Sequence, residues 1–206
     1  FALASSWVRW TSRRSVRSQS SVFALPSGAL ILVGFAAMCG ALGEGAVADW
    51  SAIFLRDVSG APESVAALGY AVFSVTMVAF RLAGAIVIMR FGPVATARFG
   101  GICAALGVFA VVSSVASLPA LAGFALMGIG YAVIMPLAFS RAASDPHVPP
   151  GQAIASVATL GYGGLLIGPP LIGFLAELFG LRLAFAVLLP LAVLIVLLAG
   201  ALKRAD

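Results

Sequence analysis

The chain has 206 residues, 62% of them apolar and 9% charged, with a mean hydropathy of +1.14. A soluble domain covers its surface with about 25% charged residues, so this composition excludes a water-soluble globule and implies a multi-span helical membrane protein. The formal net charge of +5 does not imply nucleic-acid binding, because Arg9, Arg13, Arg14 and Arg17 sit in a tail without acids and the remainder is almost neutral.

Residues 1–27 are rich in Ser and Arg, with Trp7 and Trp10 among the cations. A basic juxtamembrane segment, a transit-like peptide and unrelated upstream sequence share this composition; a basic cytoplasmic segment is the simplest reading and is adopted. The chain opens at Phe1 with no Met, which reads as a fragment. Residues 28–204 then form one transmembrane domain. A spanning helix needs about 20 apolar residues at roughly 1.5 Å each. Six stretches meet this, at about 28–55, 64–88, 94–115, 120–140, 153–177 and 183–202. Turn chemistry separates them at Arg56-Asp57 through Glu63, Phe91-Gly92-Pro93, Ser117-Leu118-Pro119, Ser144 through Gly151, and Phe179-Gly180. Such short connections make neighbours antiparallel, and the runs lack the period-2 alternation of barrel strands. The predicted fold is an all-α membrane protein of six transmembrane helices.

Lys and Arg set the orientation. With the N-terminus inside, the cytoplasmic segments hold Arg9, Arg13, Arg14, Arg17, Arg90, Arg98, Arg141, Lys203 and Arg204, against Arg56 and Arg182 outside. Both termini are therefore predicted to be cytoplasmic. Phe91-Gly92 closes the second span and Phe179-Gly180 the fifth, 88 residues later. Three helices reverse the chain across the membrane, so two such units are related by inverted topology, a transporter habit.

Glu44 and Asp49 interrupt the first span, and intramembrane carboxylates are costly unless they face a cavity or a partner. By helical rise Glu44 lies ~4 Å beyond the midpoint and Asp49 ~11 Å. Five residues also place them about 140° apart, so one can face a pore while the other meets a neighbouring helix. Glu44 is thus the candidate proton carrier, and Asp49, beside Trp50, an outer polar anchor. Arg81 lies in the second span, ~7 Å to the cytoplasmic side of its midpoint and about 11 Å axially from Glu44, beyond comfortable reach. It snorkels to the interface, contacts a gate or a solute anion, or pairs with a group outside this chain. Gly43 and Gly45 leave room beside Glu44 for a solute or for local unwinding.

Gly168, Pro169 and Pro170 in the fifth span, and Pro136 in the fourth, mark either tight packing with fixed kinks or a bending element. Tyr131 and Tyr162 are either packed aromatics or cavity contacts. Cys39 and Cys103 lie in apolar runs and read as small buried hydrophobes. His147, in a loop, makes with them neither a zinc nor a haem ligand set. No catalytic residue, metal or cofactor is predicted.

These runs resemble the C-terminal half of a major facilitator superfamily transporter, six helices of a twelve-helix bundle. The stretch from Gly161 through Gly-Tyr-Gly-Gly-Leu-Leu-Ile-Gly-Pro-Pro to Arg182 is similar to that family's eleventh helix and the turn into its twelfth. Gly123 through Arg141 is similar to the tenth, and Glu44-Gly-Ala-Val-Ala-Asp-Trp-Ser51 to the seventh in certain bacterial inner-membrane members. The family's loop pattern Gly-x-x-x-Asp-Arg/Lys-x-Gly-Arg-Arg/Lys is kept at Arg90 and Gly92. It departs at Ala85, Met89, Pro93 and Val94, and loss of the acid at Met89 removes the charge that would lock this loop. The resemblance implies a multi-pass protein of the cell (inner) membrane that moves a small solute by alternating access. It implies as partner an N-terminal six-helix half, with the path between the two halves. A non-transporting membrane fragment is the alternative. An intramembrane serine protease is disfavoured, because Gly-x-Ser-Gly and a membrane-embedded His are both missing.

Overall fold

The computed structural model describes residues 28–203, and among them all regular structure is helical. The basic segment 1–27 and Arg204 lie outside the described residues. The elements are α1 (Ala29–Asp57), α2 (Glu63–Ala66), α3 (Leu68–Ser113), α4 (Ser117–Tyr131), α5 (Ile134–Ala143), α6 (Pro150–Phe179), α7 (Leu181–Ala186), α8 (Leu188–Leu198) and a closing 3₁₀ turn, Ala199–Leu202. Grouped across their short breaks they make five helices long and apolar enough to cross a membrane: Ala29–Asp57, Glu63–Ser113, Ser117–Ala143, Pro150–Phe179 and Leu181–Leu202.

Helix α3 is not one rod. Gly92 has φ 79° and ψ 165°, a conformation essentially confined to glycine, and Pro93 follows it. A continuous helix would hold Phe80 and Phe99 ~28 Å apart, yet their ring centroids are 5.9 Å apart. The two arms therefore fold back on each other at Gly92. By helical rise the arm before it is ~36 Å long and the arm after it ~31 Å, each close to the ~30 Å of a bilayer core.

Lipid is as apolar as the side chains, so helix association here depends on close backbone approach through small residues. Helix α1 is the hub, with Val33, Ala36, Ala37, Ala46, Val47 and Phe54 fully buried. Its small face meets α6: a Cβ added at Gly164 or Gly168 would sit 2.5 or 2.6 Å from the carbonyl oxygens of Met38 or Leu42, and one at Gly34 would strike Leu160. Since 34 pairs with 160, 38 with 164 and 42 with 168, α1 and α6 run parallel. The second arm of α3 packs just as closely on α4, with Gly107 against Gly123 and Gly100 against Gly130; these numbers run oppositely, so that pair is antiparallel. At one end Phe54, Phe124 and Phe185 cluster, with ring centroids 5.0 to 6.2 Å apart, tying α1, α4 and α7 together. At that same end Arg182 donates to the Val112 carbonyl (2.5 Å), one of the free carbonyls at the end of α3.

Gly180 has φ 83° and ψ 154°, within about a dozen degrees of Gly92. The two Phe-Gly pairs noted in the sequence thus share a backbone conformation, and each ends one long helix and starts the next.

Candidate functional site

The site lies where α1, the first arm of α3 and the α4–α5 junction meet. Pro136 has no N–H, so the carbonyl four residues earlier, at Ala132, has no helical donor, and the helix opens at Ala132–Val133 between α4 and α5. The Arg81 Nε–H donates to that carbonyl at 3.2 Å. The same guanidinium reaches Glu44, with Nη2 3.4 Å from Oε2. One cation therefore joins three segments of chain: the middle of α1, the first arm of α3, and the proline-opened junction.

This corrects the sequence reading, which left Arg81 out of reach of Glu44. The arm runs from Leu68 to the break at Gly92 rather than over 64–88, which moves its midpoint from about residue 76 to about residue 80. Arg81 is then only ~2 Å from the middle of its helix, level with Glu44. The contact is long for a charge-assisted bond, and the side chains are 41% and 30% exposed. The long contact leaves both groups open to the cavity rather than locked to each other.

Glu44 and Arg81 line a cavity of about 310 Å³ with Ala41, Pro136 and Tyr162. Met135, Phe139 and Leu165 complete an otherwise apolar wall. Among the candidate residues, Glu44, Arg81, Pro136 and Tyr162 come together here. Asp49 does not: it is exposed, away from the cavity, and in no ion pair among the described residues. The 140° separation of the two carboxylates has its structural counterpart in this arrangement.

Tyr131 also stays out of the cavity. It is 2% exposed, with its ring against Gly43, and its hydroxyl has no hydrogen-bond partner. The room expected beside Glu44 is likewise filled. A Cβ on Gly43 would enter the Tyr131 ring, and one on Gly45 would lie 2.7 Å from the Leu165 carbonyl. Helix α1 passes through both positions without unwinding. These glycines serve helix–helix approach, not solute volume.

Helix α6 continues through Pro169 and Pro170. Gly168 packs on the Leu42 carbonyl, and the Trp50 Nε1–H donates to the Pro169 carbonyl at 3.0 Å. Arg90 is exposed, with its guanidinium carbon 5.9 Å from the Phe91 ring centroid, and Gly92 makes the turn described above. Met135, Phe139, Ala41 and Leu165 were not singled out from the sequence. Their only signal is spacing, since 41/44, 135/139 and 162/165 are helical same-face pairs. Arg141 and Asp145 were missed as a pair. Their Nη1 and Oδ2 atoms are 3.1 Å apart at the end of the bundle opposite Arg182, and the His147 backbone N–H donates to Asp145 at 3.0 Å. That N–H, and then Arg141, hold the Asp145 carboxyl below its ordinary range.

The model of the Major Facilitator Superfamily matches residues 33–206. The chain belongs to this superfamily. Its members are transporters and not enzymes, so the chain is part of a multi-pass membrane transporter. It is 47% identical over 180 residues to the uncharacterized transporter y4wD of Sinorhizobium fredii, covering 87% of this chain and 48% of that protein. It is 37% identical over 164 residues to an uncharacterized MFS-type transporter of Yersinia pestis, covering 80% and 43%. With membrane protein MosC of Rhizobium meliloti the identity is 34% over 166 residues, covering 81% and 41%. The superfamily chain thus spans about half the length of these relatives. A crystal structure of the peptide transporter POT in complex with alafosfalin superposes with a TM-score of 0.70 over 91% of this chain and 42% of that one, at 14% identity. That likeness is one of fold.

Proposed function

We propose that this chain is the C-terminal six-helix half of a secondary transporter of the cell (inner) membrane. In this reading it moves a small solute by alternating access, and Glu44 is the proton-coupling carboxyl. The assignment to the second half is supported by the runs around Glu44, Gly123 and Gly161 and by the share of each relative covered. Six crossings are supported by the fold-back at Gly92, and cytoplasmic termini by the distribution of Lys and Arg. The six crossings are also supported by the parallel run of α1 and α6, which short connections produce only if α3 crosses twice. The solute path then lies between this half and an N-terminal half, and this half supplies one wall of it.

The observation that carries the coupling role is the meeting of Glu44 and Arg81 at the cavity wall, near the middles of their helices. Protonating Glu44 removes its charge and leaves Arg81 held by the Ala132 carbonyl alone. Arg81 is then free to pair with an anionic group of the solute, and exchange between the two partners links proton to solute. Pro136 and the Gly168–Pro170 run are the bending elements of the cycle.

The test uses the full-length transporter in proteoliposomes. Glu44→Gln is expected to abolish proton-driven accumulation while leaving counterflow exchange largely intact, and Asp49→Asn to lower expression without changing coupling. Accumulation against a gradient by Glu44→Gln, with normal pH dependence, makes Glu44 structural and ends the coupling assignment.

A further inference from the structure

A second pair of cavities lies away from the Glu44–Arg81 site, in the groove where the two arms of α3 fold back. The first, about 350 Å³, is walled by Phe80, Val87, Phe91 and Phe99, and its lining is almost wholly apolar. The second, about 640 Å³, shares Phe91, Ala95 and Phe99 with it and adds Ile102, Arg98 and Lys203. The apolar groove therefore opens onto two cations at the end of the bundle marked by Gly92. No acidic residue lines either cavity, and neither Arg98 nor Lys203 is in an ion pair among the described residues.

Among the described residues no carboxylate pairs with either cation, and two like charges lining one cavity favour an anion there. The aromatic side chains beside that cavity, 47% exposed at Phe99 and 63% at Phe91, are surface that acyl chains cover in a bilayer. A ligand matching both features is anionic at one end and a long hydrocarbon at the other. The dimensions agree: the arms rise from Gly92 toward the bilayer middle, so a chain lying along Phe91, Val87 and Phe80 descends ~16 Å by helical rise, about the depth of one leaflet.

We propose that this groove is a binding site for an anionic glycerophospholipid. The phosphate lies between Arg98 and Lys203, and one acyl chain lies along Phe99, Phe91 and Phe80. Arg90 takes no part, because its guanidinium is turned over the Phe91 ring and does not line the cavity. The site belongs to the leaflet at the Gly92 end, whichever side of the membrane that is, and it does not depend on the coupling role of Glu44.

The full-length protein, purified in a non-ionic detergent, is titrated with dioleoyl phosphatidylglycerol and with dioleoyl phosphatidylcholine, and retained lipid is counted by native mass spectrometry. The acyl chains are identical, so the comparison isolates the headgroup charge. Preferential retention of phosphatidylglycerol is expected, falling about fivefold in Arg98→Gln and again in Lys203→Gln. Arg90→Gln, with the same net charge as Arg98→Gln, is expected to retain it like the unsubstituted protein. Phe99→Ser is expected to weaken retention of both lipids. Equal losses in Arg90→Gln and Arg98→Gln assign the effect to general surface charge, and unchanged retention in the Arg98→Gln/Lys203→Gln double variant removes both cations from it; either result overturns the site. Equal retention of the two lipids, or competition by glycerol phosphate as strong as by the whole lipid, also overturns it, as does a groove that the other half of the transporter covers so that no lipid is retained. The elution volume and helical content of each variant identify any that fail to fold, and the charge-matched Arg90→Gln and Arg98→Gln comparison is read on variants that pass.

Discussion

At the residue scale, the site depends on a carbonyl that a proline has released. Without Pro136 the Ala132 oxygen would accept a helical bond; with it, the oxygen accepts from Arg81 and fixes that guanidinium opposite Glu44. A lysine carries the same charge but presents a single nitrogen, and it cannot reproduce a fork whose Nε and Nη2 point at two partners. Arg81→Lys is therefore expected to slow initial uptake by the full-length transporter about tenfold or more, the loss of one charged hydrogen bond, with expression preserved. Uptake at the unsubstituted rate would show that only the charge matters. The Arg141–Asp145 pair makes a different prediction. The His147 N–H and Arg141 lower the Asp145 carboxyl below its ordinary value of 3.8. A group with a depressed folded-state value stabilises the fold fully above its unfolded value and loses that contribution as pH falls below it. The protein is expected to lose thermal stability more steeply below about pH 4 than Asp145→Asn, measured by scanning fluorimetry in detergent; parallel acid profiles would remove Asp145 from the account. Much at this scale was legible in the sequence. That Glu44 and Asp49 face different surroundings follows from 140° of helical rotation. That Arg81 meets Glu44 was not legible, because four residues of uncertainty in a helix boundary shift a side chain by a whole helical turn, as much as separates reach from no reach.

At the element scale, two glycines punctuate the chain. Gly92 and Gly180, with φ 79° and 83°, each end one helix and begin the next, 88 residues apart. A Cβ at either would meet open space, so their requirement is purely conformational. Alanine there would be held in a region of φ and ψ that only glycine occupies freely, at about 1–3 kcal/mol. Gly92→Ala and Gly180→Ala are each expected to lower stability by that amount, while Gly151→Ala and Gly163→Ala, also in open space but inside α6, are expected to be neutral or slightly stabilising. Denaturation followed by helical signal distinguishes the pairs; equal effects at all four positions would mean that side-chain space governs and backbone conformation does not. The turns themselves were legible as Phe-Gly pairs. The close helix contacts were legible only as a wealth of glycine, because sequence reveals that a residue is small but not which backbone it admits. Gly43 and Gly45 illustrate this: read as room for a solute, they receive Tyr131 and Leu165.

At the scale of the whole molecule, the six-crossing proposal draws on helix directions and charges together. Reversal at each short connection accounts for three observed neighbours: α1 parallel to α6, the second arm of α3 antiparallel to α4, and Arg182 at the start of α7 beside Val112 at the end of α3. With an odd number of crossings from α1 to the start of α6, that parallel pairing would require one long connection, and the described residues contain none. The proposed side rests on the Lys and Arg distribution: Arg90, Arg98, Arg141 and Lys203 fall at the Gly92 end, Arg56 and Arg182 at the other. Cysteines placed at Ser59, Val115 and Leu181 should therefore all react with an impermeant maleimide from the periplasmic side in intact cells. Cysteines at Met89 and His147 should react only after the cytoplasmic face is opened. Val115, Met89 and His147 are exposed, while Ser59 and Leu181 are half-buried, Leu181 against the core, so the latter two are read on variants that express normally. Because Cys39 and Cys103 are buried, both can be kept or replaced by Ala without altering the readout. Labelling of Ser59 and Val115 from opposite sides would mean that α3 crosses once, and the six-crossing proposal would fail. Labelling of the whole set with the sides exchanged would keep six crossings and reverse the orientation, placing the Arg98–Lys203 groove in the outer leaflet.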